Sequence, residues 1–463
     1  VEGGGVSKEA TAEEDVVAGH LGAVVRCPTV SFQDPSERQL EPFLALHELL
    51  EELFPRTHRT LNREVVGGAS LLYHWPGRDR GIAPVLLMAH LDVVPVEPET
   101  ERDWKYPPFG GLVAEGYVWG RGTLDTKSTL VGILEAVEAL LARGFEPRRS
   151  VYLAFGHDEE VGGKDGARAI AEVLQARGVR LAWVLDEGGA VLDRGLVMRV
   201  PVPVALVGIA EKGYLTVEVA AHGPGGHAAT PPRRTAVTEL VRVLRRLEKR
   251  PLPARIEEPV ASLLKALAPA LPWPVGAILS HPKAFSLLVQ WVLLGNPNTA
   301  ALVRTTQAIT LLRAGNKENV VAQSAKATVN LRILPGETTD TVLARLRQVV
   351  GPGATVEPLG RGWNPSPVTD PRGPAFDTVR KVVQSIFPDS IVVPNLVSGA
   401  TDSRYYQPLS EAVFRFAPLV LGTGDLPRVH GTDERVSVHN LVRCVRFYEK
   451  LIAVACGTGG DPS

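Results

Sequence analysis

The chain has 463 residues, 44% of them hydrophobic, a length and content that can bury substantial cores and point to two domains. A net charge of −1 and a pI near 6.9 give no electrostatic footing for nucleic acid or for an anionic membrane surface. No apolar run approaches the roughly 20 residues that span a bilayer, and Cys27, Cys444 and Cys456 form no disulfide framework and read as structural thiols.

In chain order, His47-Glu48-Leu49-Leu50-Glu51 resembles a zinc helix but lacks the second histidine of that motif, and reads as a solvated helix face. Pro84 to Ala89 is a short apolar strand that ends in His90-Leu91-Asp92. Gly120 to Asp125 is a glycine-punctuated loop, and Leu130, Leu134, Val137 and Leu141 mark one face of the helix behind it. Ser150 to Phe155 is a second strand, running into Gly156-His157-Asp158-Glu159-Glu160. Leu181 to Leu185 is a third, ending in Asp186-Glu187. Period-two alternation follows from Lys212 to Val219, then the loop Gly223 to His227 and a helical run from Ala236 to Arg250. Pro251 to Asn298 is apolar and broken by prolines, with Leu287 to Leu294 its most hydrophobic stretch; it reads as added core or as a wall for a long acyl chain. Strands return at Ala308 to Leu312 and Ala327 to Ile333, and α/β character resumes after Pro335-Gly336.

The fold class is therefore α/β: a central mixed β-sheet domain flanked by helices, interrupted by a smaller α+β domain. The expected division is 1–210 and 336–463 for the larger domain, and 211–335 for the insertion, with its apolar segment at about 251–300.

Three strands thus deliver His90, the Glu159-Glu160 pair and Asp186 to one sheet edge, the carboxyl edge where open α/β sheets place their ligands. Taken singly, a Glu-Glu pair is usually a solvated face and an Asp before a helix usually its N-cap. Taken together, imidazole and carboxylates without thiolate suit zinc or another first-row divalent ion, with cobalt and manganese as alternatives. A catalytic zinc takes about three protein ligands. With Asp125 bridging and His430 as the fifth ligand, two ions are served: His90, Asp125 and Asp186 on one, Asp125, Glu160 and His430 on the other. Glu159 remains free for proton transfer.

These motifs resemble the co-catalytic di-zinc family of aminoacylases, carboxypeptidases and acyl-amino-acid hydrolases. The resemblance rests on Met88 to Pro95, Trp119 to Lys127, Gly156 to Glu160, Leu185 to Gly189 and Arg428 to Gly431, in order. Thr126 stands where the family often has Asp or Asn. Asn296-Pro297 and Arg304-Thr305-Thr306 are similar to the carboxypeptidase S and N-fatty-acyl-amino-acid hydrolase branch. The resemblance implies that Asp92 orients the ligand His90 and that the inserted domain is a lid. It further implies that His227 approaches the scissile carbonyl, often across a homodimer joined through the lids. Arg332, Asn319 and Gly399 take lid and loop positions that hold substrate. The implied reaction is hydrolysis of the amide between an acyl group and an amino acid with a free carboxylate, run in reverse at high reactant concentration. A dipeptidase or carboxypeptidase is the nearest alternative, and a metal-free binding module is the alternative of another class. The only spacing match to a glycosylation acceptor, Asn364-Pro365-Ser366, is blocked by its proline, which leans toward a cytoplasmic protein and leaves a secreted one open.

Overall fold

The structure is a computed structural model and describes residues 12–457. It divides into two compact units, one built from residues up to Gly208, from Thr369–Val393 and from Thr401 onward, the other from Ile209–Val368 and Pro394–Ala400.

In the larger unit the apolar runs form fully buried parallel strands. Val85–His90 lies between Val151–Gly156 and Trp183–Asp186, with His90 opposite Gly156 and Leu87 opposite both Leu153 and Leu185. Val413–Arg415 continues the parallel order beside Trp183–Asp186, placing Arg415 opposite Asp186. Asn62–Val66 and Ser70–Trp75 close one edge as an antiparallel pair, which makes the sheet mixed. A strand buried on both faces carries apolar residues at every position, and Val85–Ala89 does so.

The helix Lys127–Ala142 is buried nearly all round, because the helices Ala12–Val25 and Val438–Cys456 pack on it as well as the sheet. Gly132 permits that approach: a Cβ there would come within 2.5 Å of Cys444 Sγ. Burying Leu130, Leu134 and Val137 contributes about 1.5–3 kcal/mol each. All three cysteines are free. His47 departs from the solvated face expected of its helix Glu41–Leu53: it is buried, with Nε2 2.9 Å from the Ala69 carbonyl, whereas Glu48 and Glu51 are exposed.

The smaller unit is a four-stranded antiparallel sheet in the order Thr306–Ala314, Ser324–Ile333, Gly213–His222, Thr355–Pro358. Leu215, Val217, Val219 and Ala221 alternate inward from the strand Gly213–His222. They meet Leu240, Val243 and Leu247 of the helix Ala236–Lys249, and Val342, Leu346 and Val350 of Thr339–Val350. Both helices open on a threonine capping box, Thr235 with Thr238 and Thr338 with Thr341. The expected end of the inserted domain at residue 335 is therefore too early. Pro335-Gly336 is a turn inside the unit, and the helix and strand beyond it complete the same core, carrying the boundary to Val368. No helix among the described residues is long and apolar enough to cross a membrane.

Candidate metal centre

The parallel strands end together, and their ends carry the polar residues. His90 is the last residue of its strand. Its Nδ1 donates to the Asp92 carbonyl at 2.9 Å, which turns Nε2 toward Asp125 Oδ1 at 3.0 Å and Glu187 Oε1 at 3.4 Å. From the far side, His430 Nε2 lies 3.0 Å from Asp125 Oδ2 and 3.1 Å from Glu160 Oε1. Two triads result, His90–Asp125–Glu187 and Asp125–Glu160–His430, each with ligand atoms within 4.8 Å of one another. Asp125 gives one oxygen to each. The Asp125–Thr126 peptide is cis.

Asp186 does not join its expected partners. It closes the strand Trp183–Asp186, and its Oδ2 accepts the Ser403 backbone N–H at 2.7 Å. Glu187, one residue on, is the carboxylate that reaches His90. Successive side chains on a strand point to opposite faces, so the residue that faces the rim depends on where the strand ends.

Asp92 is fully buried beneath the site. Its carboxylate accepts the backbone N–H groups of Glu159 and Glu160, each at 3.1 Å, and the Ser31 hydroxyl at 2.7 Å. It lies 3.4 Å from His90 Nδ1. The carbonyl and carboxylate of one residue thereby hold the Nδ1 side of a triad histidine, and the carboxylate sets the course of the Glu159–Val161 turn.

Electrostatics describe a site rich in negative charge. Burial alone would lower the pKa of His90, but the Glu187 charge and hydrogen bonds to Asp125 and Asp92 raise it well above the ordinary histidine value. Hydrogen bonds to Asp125 and Glu160 push His430 up to about 10. Asp125 is held far below the carboxylate range by the two histidines, against the effect of burial. Glu187 is raised well above its usual value by burial and then by the Asp125 charge. Glu159 is raised by burial and then by Asp402. Carboxylates that raise one another, and imidazoles drawn toward protonation, are what a donor set for divalent cations looks like with protons as its only counter-charge. The residues fit metal binding, and the described residues hold two groups able to take a divalent ion.

Four further residues build the site and were not anticipated. Glu434 is fully buried; it accepts Arg121 Nη1 at 2.6 Å and the backbone N–H groups of Leu124 and Asp125 at 2.8 and 3.2 Å. Arg121 also donates to the His430 carbonyl at 3.1 Å, so one ion pair ties the Asp125 loop to the His430 loop. Asp402 packs against Gly163, where φ is +63° and a Cβ would come within 1.8 Å of Oδ1. Arg404 donates to the Gly162 carbonyl at 2.6 Å, bracing the turn that carries Glu159. The hints were faint: Glu434 follows His430 in one loop, and Asp402 and Arg404 stand in a run of small residues.

The remaining expected residues lie in the smaller unit. His227 is exposed, and its short strand pairs with Val320–Val321. Asn319 accepts the Ala228 N–H at 3.1 Å, so the two share one ribbon. Arg332 is half-buried, its guanidinium 5.0 Å over the Tyr214 ring, which stacks on Trp363. At Gly399 an added side chain would meet nothing within 4 Å.

A mixed sheet whose parallel strand ends meet a C-terminal loop in two histidine–carboxylate triads defines a metal-dependent hydrolase site. The chain belongs to peptidase family M20/M25/M40, whose model matches residues 86–454. It is 37% identical over 436 residues to an N-fatty-acyl-amino acid synthase/hydrolase of Xenopus tropicalis, covering 93% of this chain and 84% of that protein. It is 36% identical over 440 residues to a probable carboxypeptidase S-like protein of Dictyostelium discoideum, covering 94% and 84%. Among solved structures, an M20 family metallo-carboxypeptidase of Sulfolobus solfataricus shares the fold, with a TM-score of 0.69, 18% identity, and coverage of 96% of this chain and 99% of that one.

Proposed function

We propose that the chain hydrolyses the amide bond between a fatty acyl group and an amino acid bearing a free carboxylate. The observation that carries the reading is Asp125, which presents one oxygen to each of two histidine–carboxylate triads while Glu159 stands beside them as a member of neither. Two divalent ions, zinc in the first place, would be held by His90, Asp125 and Glu187 and by Asp125, Glu160 and His430. When bound, they would acidify a water molecule and polarise the scissile carbonyl. Glu159 takes the proton of that water as its oxygen bonds to the carbonyl carbon. It then gives the proton to the amide nitrogen as the C–N bond breaks.

Asp92 holds His90 and the Glu159 turn in place throughout. In the smaller unit, His227 is assigned as a donor to the developing oxyanion and Arg332 as the fork for the substrate carboxylate. Asn319 and Gly399 are assigned to substrate contact. All four lie in the smaller unit, and the assignment rests on the family resemblance of that unit to a lid domain. The edge strand Thr306–Ala314, with Ile309, Leu311 and Leu312 exposed, supports a homodimer joined through that unit.

The fatty-acyl preference is supported by the Xenopus relative's name. The Dictyostelium relative favours a second reading, release of a C-terminal amino acid from peptides. Rates on a panel of N-fatty-acyl, N-acetyl and dipeptide substrates separate the two. The proposal expects the highest kcat/KM on fatty-acyl amino acids. A higher kcat/KM on dipeptides replaces it with the peptidase reading.

A further inference from the structure

The insertion expected to be core or an acyl wall is core along one side. Its helices Glu258–Leu267, Val275–Ser280 and Ser286–Leu293 bury Leu264, Leu267, Leu279, Val289 and Leu293. The other side of the same segment is bare: Trp273 is 86% exposed, Leu287 84%, Trp291 75% and Val292 56%. On Ser286–Leu293, residues 287, 288, 291 and 292 fall on one broad face, opposite Val289 and Leu293. Scattered exposed apolar residues need no explanation, but two indoles and a leucine this bare in one segment mark a docking surface.

Charge says what docks. The overall charge of −1 conceals a segment from Pro259 to Lys317 without a single Asp or Glu, in which Lys265, Lys283, Arg313 and Lys317 are exposed. Carboxylates stand at both ends of the segment: Glu258, which pairs with Lys283 at 3.2 Å, and the exposed Glu318. A second copy of this face would bring lysine toward lysine with little to pair it, since a two-fold interface must complement itself. Indole side chains settle at the boundary of hydrocarbon and water, with the ring in the apolar layer and the N–H in the polar one. Bare indoles and a leucine on a segment whose own charged residues are all cationic match an anionic lipid surface.

We propose that this face of the smaller unit docks on anionic lipid surfaces. Such surfaces also gather long-chain acyl compounds, so the link to catalysis rests on the fatty-acyl reading above, whereas the docking itself does not.

The test sediments the full chain with vesicles of phosphatidylcholine, with and without phosphatidylglycerol, in the absence of substrate. The comparison is Leu287→Glu/Trp291→Glu, two changes at exposed positions. Wild type is expected to bind the phosphatidylglycerol vesicles and to be released by salt. The double variant is expected to bind at least about tenfold more weakly, with unchanged mass in solution and unchanged hydrolysis of a short, soluble N-acyl amino acid. Wild type that stays in the supernatant, or a double variant that binds equally well, overturns the proposal. A variant of lower mass, from a wild type that ignores vesicles, assigns the face to a second copy and also overturns it. Failure of the fatty-acyl reading would appear separately, in the substrate panel, with vesicle binding intact.

Discussion

His90 and His430 reach the same carboxylate from two kinds of structure. His90 ends a strand buried on both faces, its side chain 2% exposed, and its ring is set by Asp92 beneath it. His430 sits in a loop, with φ at +59° and its side chain 48% exposed. Nothing packs that ring as a strand would. Its loop is tied down through the backbone, where Arg121 bonds its carbonyl and Glu434 holds Arg121 and the Asp125 loop together. Sheet register positions one triad, and a buried ion pair positions the other.

The sharpest test of this division leaves both triads intact. Glu159→Gln keeps size and removes proton acceptance, so hydrolysis should fall about 10²–10⁴-fold while bound metal per chain is unchanged. Loss of metal from that variant would make Glu159 a ligand and redraw the site.

Glu434→Ala strands Arg121 as a buried, unpaired charge. Breaking such a pair costs about 3–5 kcal/mol, and denaturant unfolding should register it. Metal analysis should then find the His430 triad emptied before the His90 triad. A loss of stability below about 1 kcal/mol would mean that the pair is not what fixes the loop.

Asp92→Ala should strike the other side. Losing a residue that orients a ligand weakens metal affinity or activity by about 10–100-fold, seen here as easier extraction by a competing chelator. The His90 triad should yield first in this variant, in reverse of the Glu434 order. Equal loss from both triads would erase the distinction between them.

How far the sequence discloses this site follows from the same contrast. Strand ends are legible: apolar runs that stop at His90, at Gly156 before the glutamate pair and at Asp186 mark the rim before any coordinates exist. Side-chain direction at a strand's last residue is not. Asp186 is instead taken up in part by the Ser403 N–H, more than two hundred residues away in sequence. The pair of Arg121 with Glu434 is hidden for the same reason, since each charge reads alone as surface. The smaller unit's far boundary was obscured because Thr339–Val350 and Thr355–Pro358 carry the same local pattern whichever sheet they cover. The insertion's apolar run was plain to see, but exposure is a tertiary property that composition does not set.

The central claim is that Asp125 joins two metal-binding triads, with Glu187 rather than Asp186 completing the first. Anomalous diffraction at the zinc edge, from crystals of the zinc-loaded protein, tests it most directly. The account predicts two anomalous peaks per chain, one on each side of Asp125, the first bonded to His90 and Glu187 and the second to Glu160 and His430. A single peak, or a first ion bonded to Asp186 with Glu187 turned away, would contradict it.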